Sequence, residues 1–121
     1  MEIAIRRVYD EPTEADGLRV LVDRLWPRGM AKERLDALWA KELAPSSELR
    51  SWMHEDPPGR FDEFVQRYLA ELDGSGAVEE FVQAHGEEPV VTLLFSTRDV
   101  AHNHAQVLRQ VILETVADDE G

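Results

Sequence analysis

The stretch PVVTLLFSTRD, residues 89–99, decides the fold class of this chain. Residues 89–95 form a continuous, almost entirely apolar run, which is typical of a strand whose two faces are both covered. The polar letters STRD then mark a loop. Beyond it, residues that would face a core recur at helical spacing, namely Leu108, Val111, Ile112, Thr115 and Val116. This order of strand, loop and helix predicts an α/β domain.

Further strands are predicted on the N-terminal side of this unit. The segment EIAIRRV (2–8) alternates apolar and polar residues, and RVLVDRLW (19–26) contains an apolar run that proline at position 27 would end. The ten-residue link between them is short for a parallel crossover, so these two strands are expected to be antiparallel or non-adjacent. The segment MAKERLDALWAKEL (30–43) is ambiguous, because its apolar spacing fits a helix while LWAKELA (38–44) could be a strand. We expect a brief helix followed by a third strand.

Several helices are predicted between the third strand and the last one. Ser46 is a natural N-cap for a helix that ends near Met53, and residues 57–59, PPG, should form the loop that follows. Residues 61–72 carry apolar side chains at helical spacing, and a shorter helix is expected over 78–86. The predicted fold is α/β, with a small mixed or mostly parallel central sheet of about four strands and helices on both faces.

The composition is that of one soluble globular domain over residues 1–121, with 43% hydrophobic and 31% charged residues. No apolar run approaches the roughly 20 residues of a membrane-spanning helix, and the N-terminus lacks the apolar core of a signal peptide, so we expect no membrane association and a cytoplasmic location. The chain has no cysteine. Disulfides, thiolate nucleophiles and cysteine-ligated metals are therefore excluded.

Charge is distributed unevenly along the chain. The net charge is −12, which makes nucleic acid an unlikely partner. Residues 19–34 nevertheless hold five basic residues against two acidic ones, a local charge of +3, and the basic residues are Arg19, Arg24, Arg28, Lys32 and Arg34. Such a cationic island could attract a small anion, or its side chains could simply pair with nearby acids.

A ligand site is predicted where the strands end. Open α/β sheets bind ligands beyond the carboxyl ends of their strands, and these ends carry DRLWPRG (23–29), LAPSS (43–47) and FSTRD (95–99). The guanidinium groups of Arg24 and Arg28 would bind phosphate or carboxylate oxygens. Gly29 would let the backbone approach a ligand closely, and Lys32 would lie in the first turn of a helix whose N-terminus adds amide donors.

The segment after the last strand offers a possible nucleophile and base. Ser96 or Thr97 could attack a substrate if His104 accepted the proton. Alternatively, Asp99 caps the final helix and His104 is a hydrogen-bonded residue at the top of the core. A metal site is not expected, because the histidines on either side of Asn103 diverge on a helix and no third ligand is evident.

Four segments together resemble the bacterial YeaO-like family, a domain of unknown function numbered 488. They are RVYDEPTEADGLRVLVDRLWPRG (7–29), WAKELAPSSELRSWMH (39–54), FDEFVQRYLAEL (61–72) and VTLLFSTRDVAHNHAQVLRQVI (91–112). The resemblance implies a compact α/β domain with recurring positions that match Asp23, Arg24, Trp26, Pro27, Arg28, Gly29, Lys32, Pro45, Ser46, Arg67, Tyr68, Asn103 and His104. A related branch has cysteines near the last strand; their absence here means that thiol or metal chemistry of that branch cannot transfer.

These observations favour binding of, or action on, a small anionic molecule that carries phosphate or carboxylate. The predicted catalytic residues, if a reaction occurs, are Ser96 and His104. The predicted ligand-binding residues are Asp23, Arg24, Trp26, Arg28, Gly29, Lys32, Ser46, Thr97 and Asn103. No cofactor is specified by the sequence. The alternative is a regulatory or protein-interaction domain that uses the same island to bind an acidic protein or a second copy of the chain, with nucleic-acid handling a distant third.

Overall fold

The computed structural model describes residues 1–120, with side chains up to residue 118. Four strands and five α-helices follow one another in this order: β1 (Glu2–Arg7), β2 (Leu18–Leu21), α1 (Lys32–Leu35), β3 (Leu38–Trp39), α2 (Ser47–His54), α3 (Pro57–Ser75), α4 (Ala77–His85), β4 (Val90–Phe95) and α5 (His104–Glu120). Short 3-10 turns at Glu14–Asp16 and Lys41–Leu43 complete the regular structure. The predicted α/β class is confirmed.

All four strands are parallel and lie in the order β1-β4-β2-β3. The sheet is therefore parallel throughout rather than mixed. Strands β1 and β2 are non-adjacent, which is one of the two arrangements predicted from the short link between them. Strand β4 lies between them, with Leu93 opposite both Ile5 and Val20. The apolar run that first suggested a buried strand is thus the central strand of the sheet.

Side chains of β4 alternate between the two faces of the sheet. Val91, Leu93 and Phe95 belong to the larger core, which also includes residues of α2, α3, α4 and α5. Leu94 belongs to a smaller core on the other face, with Leu35 of α1 and two half-buried tryptophans packed against it. Helices cover both faces, as predicted, but the second face receives only the single turn of α1 and its neighbouring loops.

The helix predictions were confirmed except at the start and end of α3. The ambiguous segment forms α1 and then β3, and the Ser46 hydroxyl accepts the Leu49 amide at 3.2 Å to cap α2. Residues 57–59, predicted as a loop, instead form the first turn of α3, where proline is tolerated because that amide has no helical acceptor. The helix also continues through 73–75, beyond the predicted helical stretch 61–72, and Gly76 is its C-cap.

Part of the predicted cationic island is used inside the fold. Arg19, on β2, is buried and binds Asp16 at 2.5 Å, and its Nε donates to the Leu35 carbonyl at 3.1 Å. Arg34 lies 3.6 Å from Glu11 on the surface. The island is therefore divided, and only Arg24 and Arg28 of its five cations line the cleft described below.

Within residues 1–120, no helix has both the length and the apolar character needed to cross a bilayer.

Candidate functional site

A cleft of about 840 Å³ lies at the carboxyl ends of β1, β2 and β4. Arg24 and Arg28, from the loop after β2, line it together with Ser96, Thr97 and His104 from the segment after β4. The front and back of the chain therefore converge on one concave surface, which is the geometry that the strand-end rule for parallel sheets predicts.

The cleft is cationic although the chain is acidic. Five arginines, Arg7, Arg24, Arg28, Arg50 and Arg98, line it against two aspartates, Asp23 and Asp99. With histidines neutral this lining carries a net charge of +3, whereas the whole chain carries −12. Positive charge is thus gathered at one hollow of the molecule, as expected of a site that attracts a small anion.

Two of the five arginines are bound by backbone carbonyls. Arg7 donates from Nε to the Thr97 carbonyl at 3.1 Å and from Nη2 to the Ser96 carbonyl at 2.8 Å. Arg24 donates from Nε to the Pro45 carbonyl at 3.0 Å and from Nη2 to the Ala44 carbonyl at 3.3 Å. These contacts tie the loops after the strands to one another, so Arg7 and Arg24 shape the walls of the cleft.

The other three arginines are free. Among the residues that the structure describes, Arg28, Arg50 and Arg98 form no ion pair, and their side chains make no hydrogen bond; all three are exposed. Each retains the planar donor fork that binds carboxylate or phosphate in two-pronged fashion. The three come from different parts of the chain, namely the loop after β2, helix α2 and the loop after β4. We call them the free arginine trio.

Asp23 is the centre of a hydrogen-bonded cluster with Ser96 and His104, and we call this cluster the floor of the cleft. Its Oδ2 accepts the Ser96 amide at 2.9 Å and the Ser96 hydroxyl at 2.8 Å, and its Oδ1 lies 3.3 Å from His104 Nε2. The Asp23 side chain is 14% exposed. Burial acts to raise the pKa of Asp23, but the hydrogen bond and charge of His104 and the hydrogen bonds from Ser96 outweigh it and hold that pKa below its usual value. The carboxylate is thus ionised at neutral pH.

Asp23 and Arg24 both line the cleft, although consecutive residues of a strand would point to opposite faces. The reason is that β2 ends at Leu21, so the chain has already left the sheet at position 23.

Ser96 and His104 meet in the cleft, but through Asp23 rather than directly. The serine hydroxyl donates to Asp23 Oδ2, while His104 Nε2 lies 2.9 Å from the Val22 carbonyl and 3.3 Å from Asp23 Oδ1. A serine nucleophile is normally activated by a hydrogen bond to its base. Here the carboxylate lies between the two groups, and it holds the loop after β4 and the start of α5 against the end of β2.

Trp26 and Thr97 also line the cleft. Trp26 donates from its indole nitrogen to the Met30 carbonyl at 2.8 Å, and its ring meets Trp39 edge to face at 5.3 Å between centroids. The Thr97 hydroxyl accepts the Asp99 amide at 3.3 Å. Trp26 is half-buried, so it packs against the smaller core and still presents a surface to the cleft.

Four predicted ligand-binding residues lie outside the cleft lining: Gly29, Lys32, Ser46 and Asn103. Gly29 has a φ of +71°, and a side chain there would meet nothing within 4 Å, so the left-handed backbone rather than a close approach within the protein accounts for glycine. Lys32 is exposed on α1, and Ser46 is engaged with Glu71 through its amide and hydroxyl at 2.9 and 2.6 Å.

Asn103 rather than Asp99 caps the last helix. Asn103 is buried, and its side-chain oxygen accepts the Ala105 amide at 2.7 Å at the start of α5. Asp99 instead accepts the amides of Ala101 and His102 at 3.1 and 2.9 Å and closes the loop before the helix. The hydrogen bond from the His102 amide, together with the His102 ring, lowers the pKa of Asp99 although burial opposes this.

Sequence reasoning missed Arg7, Arg50 and Arg98 as cleft residues. Arg7 is the last residue of β1 and Arg98 lies inside FSTRD, so the strand-end rule could have found both. Arg50 lies on α2 and reaches the cleft only through the packing of that helix, for which the sequence carries no signal. His54, on the same helix, also lines the cleft. Burial and the charges of Arg50 and His104 lower the pKa of His54.

Among the side chains of residues 1–118, no group of three or more histidine, aspartate or glutamate residues is arranged to hold a metal ion.

Comparison with known proteins agrees with the resemblance in the sequence. The profile of a family described as the inactive DUF488-N3 subclade matches residues 2–121. Uncharacterized protein YeaO of Escherichia coli is 42% identical over 110 residues, which cover 89% of this chain and 94% of that protein. Uncharacterized protein Rv3073c of Mycobacterium tuberculosis is 46% identical over 111 residues, 91% of this chain and 92% of that protein, and Uncharacterized protein Mb3100c of Mycobacterium bovis matches to the same extent. No solved structure matches the chain significantly. The chain therefore belongs to the YeaO-like DUF488 family, within the subclade described as inactive.

Proposed function

We propose that this protein binds a small anionic molecule, bearing phosphate or carboxylate, in the cleft at the carboxyl ends of β1, β2 and β4, and that it does so in the cytoplasm. The observation that carries the proposal is the free arginine trio. Three guanidinium groups from three segments surround one hollow, and among the described residues none of them has a carboxylate partner.

Charge supports a small ligand rather than a polymer. A chain with 25 acidic residues against 13 basic ones has ample carboxylates with which to neutralise three arginines, yet among the side chains of residues 1–118 these three have no carboxylate partner. A small anion entering the cleft would meet the local positive field, whereas a nucleic-acid backbone lying across the surface would also meet the acidic remainder of the molecule.

The floor of the cleft favours binding without a reaction. The Ser96 hydroxyl donates to the Asp23 carboxylate, and His104 is held by the same carboxylate and by the Val22 carbonyl. Both residues predicted as catalytic therefore already serve as structural partners of Asp23. The family description, which carries the word inactive, is in keeping with this. In the proposed function, Ser96 and His104 hold the floor of the site, and the free arginine trio binds the anion.

The experiment is a calorimetric titration with inorganic phosphate, pyrophosphate and citrate at low ionic strength. We expect at least one of them to bind, and Arg28→Ala and Arg98→Ala each to weaken it by about tenfold or more, since a hydrogen bond to a charged group contributes about 1.5–3 kcal/mol. Arg34→Ala is the matched control, because it removes the same charge from an exposed residue outside the cleft. No binding by the wild type, or equal loss in all three variants, would contradict the proposal.

One observation favours a protein partner as the second candidate. Leu25 is 60% exposed and Tyr9 is 42% exposed, and both lie at the cleft beside the arginines. An acidic protein surface, or an acidic face of a second copy of the chain, would cover these side chains while pairing with the cations. Light scattering at low and high salt tests this candidate: salt-sensitive self-association that Leu25→Ser abolishes would support it, and a monomer at all salt concentrations would remove the second copy as partner.

A further inference from the structure

The cleft is electrostatically divided between its rim and its floor. The free arginine trio is exposed at the rim, whereas Asp23 is largely buried on the floor and carries a negative charge. An anionic group placed on the floor would be repelled by Asp23. Arg7 and Arg24 also line the cleft, but their guanidinium groups already donate to backbone carbonyls. The free arginine trio is therefore where we expect the anionic part of a ligand to bind, with a different chemical group facing Asp23.

The floor offers hydrogen-bond acceptors. Each carboxylate oxygen can accept two hydrogen bonds, so Asp23 retains acceptor capacity after binding Ser96 and His104. An apolar group against this carboxylate would leave that capacity unused and would strip water from a charge, which is unfavourable. A hydroxyl group is a neutral donor of the required kind, and hydrogen bonds from hydroxyl to carboxylate are among the strong ones.

We infer that the ligand is a phosphorylated polyhydroxyl compound of the sugar-phosphate class, with its phosphate bound by the free arginine trio and one of its hydroxyl groups donating to Asp23 Oδ1, the carboxylate oxygen that has only one partner. This rests on the proposed anion-binding function and adds the second half of the ligand. A cleft of about 840 Å³ has room for both halves of such a molecule. The same chemistry is present in a free sugar phosphate and in the ribose phosphate of a nucleotide.

The test compares two phosphate monoesters that differ in their hydroxyl groups, ribose 5-phosphate and butyl phosphate, by calorimetric titration of the full chain. Ribose 5-phosphate is expected to bind at least tenfold more tightly. Equal affinities, or binding of citrate or pyrophosphate but of neither ester, would overturn the inference and leave the proposed function intact, whereas absence of binding by both esters, inorganic phosphate, pyrophosphate and citrate would end both. Adenosine 5′-monophosphate is the third arm: tighter binding than ribose 5-phosphate would assign the compound to nucleotides, and weaker binding to free sugar phosphates.

A variant of Asp23 provides an independent readout. Asp23→Asn keeps the size of the side chain and removes its charge, so it should weaken ribose 5-phosphate about tenfold while butyl phosphate binds as well as before or better. Arg28→Ala should instead weaken both esters alike. If Asp23→Asn also weakened both alike, the carboxylate would have no selective contact with the hydroxyl groups and the inference would be wrong. The wild-type comparison decides the question by itself if this variant does not fold.

Discussion

Two arginine-rich regions of the molecule differ in how their charge is neutralised. Around Asp16, two arginines converge on one carboxylate: Arg6 lies 2.8 Å from Oδ1 and Arg19 lies 2.5 Å from Oδ2. In the cleft, the three members of the free arginine trio have no carboxylate partner among the described residues. Where the chain supplies the acceptor, an arginine holds the fold together. Where no described carboxylate is near, the exposed guanidinium group is left available for the anion that we propose as ligand.

The Asp16 region is fully engaged in structure. Thr13 donates to the Asp16 carboxylate from its amide at 3.1 Å and from its hydroxyl at 2.9 Å, and the Asp16 carbonyl accepts the Thr92 hydroxyl at 2.7 Å. Thr92 lies on β4, an inner strand of the sheet, so the backbone carbonyl of Asp16 ties the loop after β1 to the middle of the sheet. Burial acts to raise the pKa of Asp16, but hydrogen bonds from Thr13, Arg19 and Arg6 lower it to about 2.

The largest effect that we predict is the loss of stability in Asp16→Ala. Arg19 is buried and would keep its charge without a counterion, which typically costs about 3–5 kcal/mol. Urea unfolding gives the free energy. Glu11→Ala is the matched control, since Glu11 pairs at 3.6 Å with exposed Arg34 and such surface pairs contribute less than about 1 kcal/mol. Equal losses in the two variants would mean that burial does not distinguish the pairs.

Acid should remove the Asp16 contribution selectively. The pKa of Asp16 is about 2 in the folded chain and 3.8 ordinarily, so its stabilising contribution is complete well above pH 4 and is lost as the pH falls from there toward 2. Asp16→Asn keeps the shape of the side chain but cannot titrate. We therefore expect the difference in unfolding free energy between wild type and this variant to be constant near neutral pH and to shrink steadily between about pH 4 and about pH 2.5. A difference that grows as the pH falls would contradict the lowered pKa.

Within the cleft, neighbouring loop residues should separate the two roles of arginine. Arg24→Ala removes two hydrogen bonds to backbone carbonyls, and we expect it to lower the unfolding free energy by about 1–3 kcal/mol. Arg28→Ala removes an exposed side chain with no described partner, and we expect a change within about 0.5 kcal/mol. Chemical denaturation of both variants under one buffer tests this. A loss in Arg28→Ala as large as in Arg24→Ala would show that Arg28 also has a structural role.

Much of the fold follows from the sequence because its strongest signals are local. The apolar run of β4, the serine N-cap of α2 and the helical spacing in α3 each reflect the chemistry of a few consecutive residues. The order of the strands, by contrast, is not set by local sequence. The insertion of β4 between β1 and β2 depends on pairing across many residues, and the sequence indicated only that the first two strands are antiparallel or non-adjacent. The boundaries of α3 were missed for a local reason, since proline and glycine are read as loop signals but are compatible with the ends of a helix.

The sequence predicted where the candidate site lies but not which residues line it. The strand-end rule identified the loops that hold Arg24, Arg28 and Ser96, and these line the cleft. It did not tell which cations have partners. Arg19 and Arg28 belong to the same stretch of sequence, yet one is buried against Asp16 and the other is exposed in the cleft. That difference arises because Arg19 lies on β2 and Arg28 in the loop after it, and it also depends on where the carboxylates of other segments lie.

The smallest effect that we predict concerns His54, because the charge of a histidine depends on pH. His54 therefore differs both from the arginines paired with carboxylates and from the free arginine trio, whose charges are permanent. Burial and the charges of Arg50 and His104 lower its pKa, so it is neutral at pH 7 and gains a proton only below its usual range. An anion in the cleft would favour the protonated form. Binding of sulfate, whose own charge is constant between about pH 8 and pH 5, should therefore strengthen as the pH falls over that range.

The control for this prediction is His85, which lies on α4 outside the cleft. His54→Gln should reduce the pH dependence of sulfate affinity, measured by calorimetry, whereas His85→Gln should leave it unchanged. If both variants retained the full pH dependence, His54 would have no part in it. If affinity did not change with pH at all, the arginines alone would set it, because a guanidinium keeps its charge over the whole range whether or not the fold provides a partner.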